Sequence, residues 1–160
     1  MAANADGIGK TATRYGAASS ESERRRQGGG RHDRGMLELY LVLNAVLYAV
    51  FSVWCAMAPR TTAAWLGLTP VGPAGSAEYL AVYGGLQAGL AVFYGFAWWQ
   101  PDSRPTALVL SIAVYGGLVA LRSVAAIRFG LTALGNARHA YGLELLLLLA
   151  AVLLQVSGGR

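Results

Sequence analysis

The sequence predicts an all-α protein: a bundle of four membrane-spanning helices, both termini cytoplasmic, preceded by a disordered basic tail. Three observations predict it. Four apolar stretches are each about long enough to cross the ~30 Å hydrocarbon layer of a bilayer as a helix. Only 13% of the residues are charged and 55% are hydrophobic, against a charged share of about 25% in ordinary soluble domains. Seven of the thirteen Lys and Arg residues lie before residue 36, so the basic character belongs to one end of the chain. Nucleic-acid binding by the whole protein is therefore not expected.

Residues 1–35 contain no long apolar run and carry Arg24, Arg25, Arg26, Arg31 and Arg34. Such a segment buries too little apolar surface to offset its ordering entropy, so disorder is expected. The stretch GIGKT at 7–11 is similar to the end of a phosphate-binding loop. Asn4 stands where that loop needs its first glycine, and no strand precedes it, so the reading is set aside. Met36, at the junction, is an alternative start. The 160 residues leave room for one compact unit, 36–157.

The first crossing is 37–57. Its basic flank and the Ala56-Met57-Ala58 site also suit a secretory signal, but its apolar run of roughly 20 residues exceeds the ~7–15 of a signal core. Residues 58–77, with Pro59, Pro70 and Pro73, are expected to form a loop with a short interfacial turn near Trp65 and Leu66. Ser76 is the expected N-cap of the second crossing, 78–99. A tight connection with Asp102 and Arg104 leads to the third, 106–127. A glycine-bearing loop leads to the fourth, 139–156. Cys55 is the single cysteine, which excludes an internal disulfide and a cysteine metal cluster.

Orientation follows from Lys and Arg. With the N-terminus inside, that side carries the tail's seven plus Arg104 and Arg160, and the other side carries Arg60, Arg128 and Arg138. Nine against three places both ends in the cytoplasm.

Ionisable groups within crossings are costly at mid-depth and face the bundle interior or reach outward. Three matter here: Glu78, Arg122 and Glu144. The third and fourth crossings form a hairpin centred near residue 133, which puts Arg122 and Glu144 at equal depth. An Arg122–Glu144 ion pair is expected, with Glu78 as a third member, because a guanidinium fork can serve two carboxylates. Helix-dipole capping by Glu78 and Glu144, and outward reach by Arg122, are the simpler roles for the same residues.

A polar stripe at helical spacing runs along each crossing. Tyr40, Asn44, Tyr48 and Ser52 mark the first; Tyr83, Gln87 and Tyr94 the second; Ser111, Tyr115 and Arg122 the third; Glu144 and Gln155 the fourth. These should point inward, where other helices satisfy them, either by interhelical hydrogen bonds or around a lined cavity. Gly85/Gly89 and Gly116/Ala120 are expected as small-residue ridges for close backbone approach. The hexapeptide AVYGGL occurs at 81–86 and again at 113–118. No metal-binding helix, nucleophile elbow or dinucleotide glycine pattern is present.

With Asn44 and its neighbouring tyrosines, the stretch EYLAVYGGLQ from Glu78 to Gln87, Arg122 and Glu144, the chain over 37–156 resembles the domain-of-unknown-function 4345 family of small bacterial four-helix membrane proteins. The Glu78…Tyr83-Gly84-Gly85 stretch is the most specific part. The resemblance implies an integral membrane protein with no established activity.

The function expected from these residues is that of a structural or accessory component of a bacterial inner membrane. In that reading Glu78, Arg122 and Glu144 fasten the outer half of the bundle. Two alternatives stay open: a small-solute or proton transporter subunit using the carboxylates, and a membrane enzyme or redox partner holding a quinone or lipid among the tyrosines. No cofactor or metal is predicted. Membrane lipids are the expected partners, with a second copy or another membrane protein as further candidates.

Overall fold

The computed structural model describes residues 34–158, and every regular element among them is helical. The tail at 1–33 and Arg160, on which the orientation count draws, lie outside the described residues. Helix α1 runs Arg34–Met57 and the short α2 runs Pro59–Trp65. Helix α3 spans Gly72–Trp99. After a 3-10 turn at Pro101–Ser103 comes α4, Arg104–Phe129. A second 3-10 turn, Leu131–Leu134, leads to α5, Ala137–Gly158. Helices α1, α3, α4 (with its leading turn) and α5 are long and apolar enough to cross a membrane, with mean hydropathies of 1.9, 1.4, 1.9 and 1.9.

Proline explains where the helices differ from the sequence expectation. Pro59, Pro73, Pro101 and Pro105 all sit in the first turn of a helix. There the missing N–H is no loss and the fixed φ suits the helix. The expected 58–77 loop therefore contains a helix of its own, and α3 begins at Gly72 instead of residue 78. Ser76 is not an N-cap. It lies inside the helix and its hydroxyl donates to the Gly72 carbonyl at 3.0 Å.

Helix α3 is not uniform. Leu80–Gly85 forms a π turn, with the Leu86 N–H reaching back to the Ala81 carbonyl. Ser52 of α1 donates to the Gly84 carbonyl at 2.8 Å within this widened turn. The second copy of AVYGGL, at 113–118, is ordinary α-helix. The hexapeptide alone does not dictate the π turn; the neighbouring helix contributes.

Helix α1 is the hub. It bonds α3 through Ser52, α4 through Asn44 and Tyr115, and α5 through the Tyr40 hydroxyl, which donates to the Leu147 carbonyl at 3.3 Å. Two buried clusters hold the helices. One gathers residues of α1, α3, α4 and α5 around Leu41, Tyr94, Leu108 and Leu147. The other joins Cys55, Ala63 and Tyr79. Outward faces are apolar: Ile127 is 85% exposed, Val92 73% and Leu121 72%, while Asn44, Thr62 and Ser111 are fully buried.

The glycine ridges do not serve close helix approach within this chain. Gly85 and Gly89 are exposed, and a Cβ at Gly89 or Gly116 would meet nothing within 4 Å. Gly130, with φ +85° and ψ 155°, is different. It ends α4 in a conformation that only glycine adopts without strain.

These positions separate by substitution. Gly89→Ala should leave the thermal midpoint in detergent unchanged or raise it, by up to about 1 kcal/mol of helix propensity. Gly130→Ala should lower it, at a cost of about 1–3 kcal/mol.

Candidate functional site

The candidate site is a cavity of about 540 Å³ between the two buried clusters, bordered by residues of α1, α2, α3, α4 and α5. Each helix contributes through its periodicity. One turn beyond Asn44, α1 presents Tyr48, and another turn brings Phe51 and Trp54 to the wall. The π turn and the residues after it supply Tyr83 and Gln87; α4 supplies Tyr115 and Arg122; α5 supplies His139 and Glu144. Most of the wall is apolar, with polar groups converging on it from α3, α4 and α5.

Arg122 and Glu144 form a two-pronged ion pair. The Arg122 Nε donates to Glu144 Oε2 at 2.8 Å and Nη2 donates to Oε1 at 3.1 Å. The side chains are 24% and 12% exposed, so the pair is held largely out of solvent, where fork geometry contributes most. The hairpin of α4 and α5 brings the two residues together across the 3-10 turn. Glu78 does not join them. It is exposed and makes no ion pair or hydrogen bond among the described residues. The expected trio resolves into a pair, because Glu78 lies on an exposed face of α3.

The tyrosine and asparagine stripe is engaged in two neighbouring sets of hydrogen bonds. The Tyr115 hydroxyl donates to Asn44 Oδ1. Asn44 Nδ2 donates to the Tyr40 carbonyl at 2.8 Å. Beside it, Tyr94 and Ser111 share a hydroxyl bond at 2.8 Å, and Ser111 donates onward to the Ala107 carbonyl. Tyr48 stacks near-parallel to Tyr94 at 5.6 Å and to Tyr115 at 6.4 Å. Its own hydroxyl is buried without a hydrogen-bond partner among the described residues. Tyr83 and Gln87 border the cavity but are only half-buried.

Three features lie outside the sequence expectation. Tyr79 donates to Thr62 Oγ1 at 2.7 Å and lies 3.4 Å from Cys55 Sγ, locking α2 against α1 and α3. Thr62 was hidden by the assignment of its segment to a loop. Arg104 pairs with Glu38 at 2.9 Å and donates to the Trp98 carbonyl at 3.1 Å. These two residues open helices that run in the same direction and are not sequence neighbours, so no hairpin symmetry points to them. Trp65 and His139 also border the cavity; their position at helix ends was the available signal. Among the described residues, no group of three His, Cys, Asp or Glu side chains comes together to hold a metal.

Compared with known proteins, the chain matches no family model, no curated protein and no solved structure.

The ion pair yields an ordered set of stabilities. Arg122→Leu leaves the Glu144 carboxylate unpaired and should cost roughly 2–3 kcal/mol, whereas Arg122→Met with Glu144→Leu removes both charges and should stay within about 1 kcal/mol of wild type. Thermal midpoints of the two variants in one detergent check that order.

Proposed function

We propose that this is a multi-pass protein of a bacterial inner membrane, with both termini cytoplasmic, acting as a structural or accessory membrane component. One observation carries the proposal: the molecule is apolar outside and hydrogen-bonded inside. Exposed Leu, Val, Ile and Phe side chains cover the outward faces of all four long helices, while Asn44, Ser52, Thr62 and Ser111 are buried with partners. Water would penalise so extensive an apolar exterior. Hydrocarbon favours it, and lipid contact demands that polar groups be satisfied internally.

Four crossings return the chain to its starting side, so both ends share a compartment. The cytoplasmic assignment rests on the basic residues of the tail. The resemblance to the domain-of-unknown-function 4345 family agrees with this reading and forms part of the proposal. In it, Arg122–Glu144 fastens the α4–α5 hairpin and Glu38–Arg104 fastens the first turns of α1 and α4. Neither pair presents an unneutralised charge, which favours a holding role over proton or ion passage.

Compartment reporters fused to each end should both read cytoplasmic. The protein should remain in the bilayer fraction after alkaline carbonate washing. Opposite readings at the two ends, or release by carbonate, would reject the proposal.

A further inference from the structure

Helix α3 contains a turn that its sequence does not require. AVYGGL is regular α-helix at 113–118, yet at 81–86 it lies across the π turn Leu80–Gly85. The difference lies in what α1 presents to it. Ser52 and Cys55 stand three residues apart on α1 and so share a face. Running antiparallel to them, α3 meets Cys55 with Tyr79, at 3.4 Å, and Ser52 with the Gly84 carbonyl, at 2.8 Å. Tyr79 and Gly84 are both buried. Five residues apart in an α-helix they would be separated by about 140° around the axis. A turn that closes one residue later brings them to the same side.

We infer that this turn is a hinge with two settings. In the π setting Tyr79 and Gly84 both lie against α1. In the α setting the first part of α3, Gly72–Tyr79, is turned by one residue step, ~100°, and Tyr79 is withdrawn from Thr62 and Cys55. The two parts of α3 are held unequally, which decides the part that moves. After the turn, Tyr94 and Ala97 are fully buried in the four-helix cluster, and Tyr94 is bonded to Ser111. Within Gly72–Tyr79, Tyr79 is the buried residue, and its hydroxyl makes the segment's side-chain contacts with α1 and α2 among the described residues. A segment with so little buried opens at low cost.

The turn itself is easily rewound. π turns survive as isolated single turns within α-helices, and Gly84-Gly85 brings no side chain to resist closure. Space does not demand the wider turn either, since a Cβ at Gly84 would meet nothing within 4 Å. Ser52 is therefore the latch: its hydroxyl holds the Gly84 carbonyl and keeps the turn wide. Because Tyr79 also bonds Thr62 at 2.7 Å, closing the turn releases α2 as well.

Cys55, the single cysteine, is fully buried against Tyr79 and reports the setting. The full chain in lipid nanodiscs is treated with N-ethylmaleimide, and alkylation of Cys55 is followed by mass spectrometry. Ser52→Ala should speed alkylation about fivefold, the value of one neutral hydrogen bond. A variant lacking Ala81 leaves Tyr79 and Gly84 four residues apart, so a regular α-helix keeps both on the α1 side. It should fold, react as slowly as wild type and abolish the effect of Ser52→Ala. Should Ser52→Ala fail to fold, Tyr79→Phe, which gives up the Thr62 bond, should show the same acceleration and the same dependence on Ala81. Alkylation of the variant at the wild-type rate overturns the hinge. So does equal acceleration with and without Ala81, the mark of general loosening. Failure of the variant lacking Ala81 to fold overturns it too, because α3 would then have no residue to spare.

Discussion

The hydrogen bonds of Asn44 are the constraint on which the rest of the structure depends. The side chain is fully buried, accepts from the Tyr115 hydroxyl of α4 and donates to the Tyr40 carbonyl one turn back on α1. An amide in an apolar interior is tolerable only when its donors and acceptors are engaged. That condition fixes the rotation of α1 about its axis and the height of α4 against it. With α1 so set, Tyr40 reaches Leu147, Ser52 reaches Gly84 and Tyr48 stacks on both Tyr94 and Tyr115. Apolar packing alone would permit neighbouring registers of nearly equal energy, because a Leu surface is much the same one turn up or down. Directional bonds remove that degeneracy.

The same logic explains the distribution of ion pairs. Each acts away from the Asn44–Tyr115 contact: Glu38 and Arg104 join α1 and α4 near their N-terminal ends, and Arg122 and Glu144 join α4 to α5 across the hairpin. For the largely buried Arg122–Glu144 pair, an unpaired member would be expensive. A paired arginine therefore acts less as a source of stability than as a penalty on every arrangement that separates it from its carboxylate.

Much of the helical plan was legible because it rests on composition and period. Apolar runs long enough to span a bilayer identify the four long helices, and the fourfold spacing of Tyr40, Asn44, Tyr48 and Ser52 identifies the inward face of α1. Arg122 and Glu144 were legible because hairpin symmetry converts sequence distance into depth. Glu38–Arg104 and Tyr79–Thr62 were not, since they join elements that no short turn connects. Nor was the start of α3: Pro73 reads as a breaker until its place in the first turn is known. Similar depth alone suggests Glu78 as a third member of the pair, but depth does not fix the face: Glu78 is exposed, with no partner among the described residues.

The two copies of AVYGGL carry the last step. One is a regular helix that sends Tyr115 to Asn44; the other is a π turn whose Tyr83 borders the cavity. A π turn costs backbone energy and persists where a neighbour compensates it, frequently at functional sites. Here Ser52 supplies a hydrogen bond to the widened turn. Open volume between packed helices is likewise unfavourable, because the atoms lining it lose contacts on one side. Here the π turn, the stacked Tyr48 and the Arg122–Glu144 pair all border one cleft, so the places where the bundle departs from regular close packing coincide.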